Sequence, residues 1–67
     1  MDIENVIRNI DMLYEKYEVD KSFYNKMSRQ EIIKGIKGIL AELDLKKKMQ
    51  YTASDIELIK DIFSLYC

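Results

Sequence analysis

The sequence has no histidine, no proline and no tryptophan, and it holds one cysteine and two glycines. Without histidine there is no imidazole general base, no Ser–His or Cys–His nucleophile and no histidine ligand for a metal. The lone cysteine, Cys67, can close no intramolecular disulfide and build no thiolate cluster. With no imidazole to activate it, Cys67 reads as an inert thiol. It fits a reducing compartment, and the expected location is the cytoplasm of the producing cell or of an infected host. The two glycines, Gly35 and Gly38, fall inside a helical pattern and lack the spacing of a phosphate-cradling loop.

Other shortages narrow the function further. No apolar run approaches the roughly eighteen residues that cross a bilayer. The opening Met1-Asp2-Ile3-Glu4 is acidic and amphipathic, unlike the basic start and apolar core of a secretory signal. Neither sign of charge is in excess, with 11 Lys plus Arg against 12 Asp plus Glu. That balance argues against nucleic acid as the partner. Carboxylates paired four apart, Asp11/Glu15 and Glu57/Asp61, are expected on solvated faces with no pocket between them. The expectation is therefore a chain with no catalytic residue, no cofactor, no metal, no small-molecule substrate and no membrane partner.

What the sequence does have is apolar material at helical spacing. In 67 residues, 48% are hydrophobic and 34% charged, which suits one small domain with a thin margin of stability. Nine lysines against two arginines, with abundant Ile and Tyr, match the bias of an AT-rich genome such as that of a low-GC bacterium, a phage or a large DNA virus. The pattern predicts an all-α fold, a compact three-helix bundle. Its helices lie at about 3–18, 29–48 and 53–66, with a short structured connector near 20–26.

In the first helix Ile3, Val6, Ile10, Leu13 and Tyr17 recur at spacings of three and four, and Ile7 and Tyr14 widen the face. Asp2 is placed to cap it, and Glu4 and Arg8 to pair along it. The first connector has neither Gly nor Pro and carries Phe23 and Tyr24 side by side. These aromatics either plug an end of the bundle or stand exposed as a binding hot spot.

The second helix has the firmest start. Ser28-Arg29-Gln30-Glu31 is a capping box, and Met27 and Ile32 stand at the positions of a hydrophobic staple. Ile32, Ile33, Ile36, Ile39, Leu40 and Leu43 form one arc centred on Ile36. On the other side Gly38, Ala41, Leu45 and Met49 form a line of mostly small residues. Either this helix is the middle one, touched on two sides, or the line meets a partner. Its end is basic, and Lys46 and Lys48 are placed to pair with Glu42 and Asp44.

The third helix has two candidate starts. Ser54-Asp55-Ile56-Glu57 is a capping box, and Thr52 to Asp55 is a weaker alternative with Tyr51 and Ile56 as its staple. Ile56, Ile59, Ile62, Phe63 and Tyr66 are expected on the core face, with Leu58 and Leu65 on its flank.

The expected function is a small helical protein-binding module, an adaptor, co-chaperone or inhibitor of a larger protein, with homodimerisation as one route. The candidate partner-binding residues are Gly38, Ala41, Leu45, Met49, Leu58, Leu65, Phe23 and Tyr24. The competing reading is a small DNA-binding regulator with the second and third helices as a helix-turn-helix. The long connector and the single basic residue of the third helix, Lys60, speak against it.

Overall fold

A computed structural model describes residues 2–66, and Cys67, read above as an inert thiol, lies outside the described residues. Helix α1 spans Ile3–Lys16, α2 Arg29–Lys47 and α3 Ala53–Tyr66. Short 3₁₀ turns at Lys21–Phe23 and Lys48–Gln50 sit in the two connections. Among the described residues there is no strand, so the chain is the all-α three-helix bundle that its periodicity predicts.

Helix α2 is the middle element and packs against both α1 and α3. Its arc is buried as expected at Ile32, Ile36, Ile39, Leu40 and Leu43. Against it lie Val6, Ile10, Leu13, Tyr14 and Tyr17 from one side and Ile59 and Ile62 from the other. The result is flat, 29 × 24 × 16 Å, because α2 carries two neighbours and, among the described residues, no further helix covers its remaining side.

The helix starts obey local chemistry. Asp2 accepts from the Asn5 amide at 2.9 Å. Ser28 accepts from Glu31 N–H at 3.2 Å, and Glu31 accepts from Ser28 N–H at 3.0 Å, completing the capping box. At α3 the weaker of the two signals wins. Thr52 Oγ1 accepts from Asp55 N–H at 3.2 Å, and Ser54 lies inside the helix and exposed.

Helix α1 stops two residues short of the expected boundary at 18. The Glu18 N–H reaches the Glu15 carbonyl at 3.1 Å and the Val19 N–H the Tyr14 carbonyl at 2.9 Å. This is a Schellman ending, with Glu18 at φ 56 in the left-handed position usually held by glycine. Burial of Val19 at 7% exposure drives the closure, since the turn folds that side chain back onto the core.

Two ion-pair expectations need correction. Glu4 pairs with Arg29 of α2 at 2.6 Å, while Arg8 donates to Asn5 at 2.9 Å, so the expected Glu4–Arg8 pair is replaced by a link between helices. Glu42–Lys46 forms at 3.3 Å, but Asp44 accepts from the Tyr51 hydroxyl at 2.5 Å in place of Lys48. Asp11 and Glu15 are also engaged, Asp11 by the Tyr24 hydroxyl at 2.5 Å and Glu15 by Lys21 at 2.7 Å.

Candidate functional site

Two features stand out from the solvated surface: a buried carboxylate and an open apolar groove. The carboxylate is Asp55, 8% exposed in the first turn of α3. It accepts from Lys16 Nζ at 2.8 Å and from the Tyr17 hydroxyl. Tyr17 in turn accepts from Thr52 N–H at 3.3 Å. Burial alone would raise the Asp55 pKa, but the hydrogen bonds from Lys16, Tyr17 and Thr52 outweigh it and hold the carboxyl below its usual range. The same bond raises the Lys16 pKa. A perturbed carboxylate is a candidate for chemistry. Here both bonds fall on the Oδ2 atom, and the residue lines neither of the two cavities described below, so its work is to join the end of α1 to the start of α3.

The groove holds about 590 Å³ and lies between the end of α2 and α3. Tyr51, Ile56, Ile59 and Phe63 form its apolar lining, and Asp44, Lys48, Lys60 and Ser64 its polar lining. Ile56, Ile59, Lys60 and Phe63 recur at three, four and seven, which puts them on one face of α3. No residue of α1 lines the groove. It exists because α1 does not reach this seam between α2 and α3. The expected core position Ile56 is therefore 42% exposed, a correction with a simple cause: the apolar arc of α3 is wider than one neighbouring helix can cover. The Tyr51 ring stacks edge-on against Tyr17 at 5.4 Å, and its hydroxyl is tied to Asp44. Burial and the Asp44 carboxylate raise the Tyr51 pKa, so its phenol stays neutral and fixed in place.

Comparison with protein-family models, with curated proteins and with solved structures finds no match to this chain. The site must therefore be read from its own geometry.

The candidate residues named from the sequence scatter. Tyr24 is buried at 3% exposure, its ring 4.9 Å from Tyr14 and its hydroxyl on Asp11. It closes the bundle end and flanks a smaller hollow of about 280 Å³ with Ile7, Lys21 and Ile32. Phe23 is 46% exposed, and its ring edge would lie 3.8 Å from a Cβ built on Gly38. The first connector thus lies over part of the small-residue line on α2. Further along that line Ala41 is exposed, and Leu45 and Met49 stand out at 84% and 97% exposure. Leu58 packs on the core, and Leu65 is 55% exposed.

None of these eight residues lines the groove. Sequence reasoning missed Tyr51, Ile56 and Phe63 as a surface because Ile56 and Phe63 sit at core positions of the α3 pattern and Tyr51 at its staple position. The available signal was the excess width of the α3 arc. Among the described residues no group of three or more acidic or thiol side chains could hold a metal, and no helix is long and apolar enough to cross a membrane.

Proposed function

We propose that this chain is a small helical protein-binding module that grips an apolar segment of another protein in the groove between α2 and α3. The observation that carries the reading is the groove itself: about 590 Å³ over an apolar floor, with lysines at its edge. A domain this small has few large side chains to spare, and one that leaves Ile56 nearly half in water forgoes burial that a partner can restore. Its single cysteine is consistent with action in a reducing cytoplasm.

The test is affinity capture with matched variants. Ile56→Gln removes the apolar floor at an exposed site, and Leu45→Gln changes the exposed side chain on α2 as a control. The expected result is a partner retained by the native chain and by Leu45→Gln and lost by Ile56→Gln, with unchanged helicity in all three. Equal retention by all three overturns the groove.

A second reading has its own observation. Leu45 and Met49, four apart and almost fully exposed, offer a surface for pairing two copies. A mass twice that of the monomer in light scattering, lost in Leu45→Gln, would favour it. DNA binding gains nothing comparable, because α3 offers Lys60 as its single cation.

A further inference from the structure

We propose that the occupant of the groove is an acidic amphipathic helix, with its apolar stripe on Tyr51, Ile56 and Phe63 and its flanking carboxylates facing Lys48 and Lys60. This rests on the docking reading above and assigns the partner's chemistry.

Shape argues for a helix first. The apolar wall presents Ile56 and Phe63 seven residues apart on one face of α3, the spacing that another helix meets with its own side chains at three- and four-residue intervals. The groove is also open to solvent. A small amphiphile such as a fatty acid needs an enclosed cavity that buries most of its surface, whereas a protein helix brings its own polar back to cover the exposed side.

Charge then selects the kind of helix. Lys48 comes from the α2 side and Lys60 from α3. Neither takes part in the ion pairs found, which engage Lys16, Lys21, Lys46 and Arg29. The one carboxylate in the lining, Asp44, already accepts from Tyr51. Glu57 and Asp61, the carboxylates closest to Lys60 in sequence, lie outside the lining. The rim therefore carries two cations open to a partner, although the whole chain has a net charge of −1. Carboxylates flanking an apolar stripe match that rim, and like charge there costs affinity.

The experiment uses two labelled helical peptides about four turns long, identical in their leucine stripe and flanked by Glu in one and Lys in the other. Binding to the full chain is followed by fluorescence anisotropy and by the NMR signals of Ile56 and Phe63. The expected result is that the Glu-flanked peptide binds at least about tenfold tighter and weakens with salt. The double variant Lys48→Glu/Lys60→Glu, both at exposed positions, should reverse the preference while leaving helicity unchanged. If both peptides bind equally, the charge assignment falls and the docking reading stands. If neither peptide moves the groove signals, both fall. Groove signals moved by a fluorescent fatty acid probe and by neither peptide would overturn the helix and make the groove a small-amphiphile site. Groove shifts that grow with protein concentration and track a doubled mass would make the occupant a second copy.

Discussion

Asp55 joins α3 to the end of α1 by charge, through Lys16. Its carboxylate gives the buried Tyr17 hydroxyl an acceptor and Lys16 a counter-ion. Asp55→Ala is expected to cost about 2 kcal/mol in urea denaturation, because the Tyr17 hydroxyl is left inside without an acceptor while Lys16 returns to water. Asp55→Asn keeps an oxygen for Tyr17 and should cost about half as much. A loss below a few tenths of a kcal/mol for Asp55→Ala would show that the contact is not made. Since the folded pKa of Asp55 lies below the ordinary 3.8, its contribution is complete above that pH and fades as pH falls through the folded value.

Tyr14 governs the alkaline side. It is fully buried, its hydroxyl donates to the Ile39 carbonyl at 2.6 Å, and burial followed by the Glu42 charge pushes its pKa from 10.0 to about 12. A raised pKa stabilises the fold below the unfolded value and ceases to do so as pH climbs through the folded one. Stability is therefore expected to fall between pH 10.0 and about 12. Phenolate absorbance should show Tyr14 and Tyr24 ionising together with loss of helicity. A titration near pH 10.0 with helicity intact would contradict the burial.

At the scale of elements, the third helix offers the cleanest comparison. Thr52→Ala removes the hydroxyl that accepts from Asp55 N–H and should cost about 1 kcal/mol. Ser54→Ala, at an exposed position inside the helix, should cost nothing or stabilise by a few tenths of a kcal/mol. The reverse order of melting temperatures would restore the Ser54 cap. Two overlapping cap motifs compete in this sequence, and the choice is made from outside the helix: Tyr17 reaches Thr52 N–H and holds Asp55 under the end of α1. Such a distant contact leaves no mark in the local pattern. The Ser28–Glu31 box was legible because all its partners lie within one turn. The end of α1 was not, because a glutamate at a left-handed position carries no composition signal of the kind glycine gives.

The whole molecule is a middle helix with two unequal neighbours. Periodicity alone gave the three helices and most of the core, since Ile36, Ile39, Leu40, Leu43 and Ile62 are all shut away from water. The groove was not legible, because it is a gap. It depends on which side of α2 each neighbour takes, and a helix with a wide apolar arc reads the same whether or not that arc is covered. Ile56 looked like core for this reason.

The tyrosine hydroxyls have an optical consequence. Three of them, on Tyr17, Tyr24 and Tyr51, end on the carboxylates of Asp55, Asp11 and Asp44. An excited phenol held against a carboxylate passes its proton toward it and emits weakly. With no tryptophan to mask the signal, the native chain should be dim and should brighten as urea separates each pair. Emission that rises at the same midpoint as the loss of ellipticity would show that all three ties break with the fold. Emission that stays flat would count against them. The protein thus carries an unlabelled light gauge of its own assembly, with one lamp between α1 and α3 and one tying each connector to the helix before it.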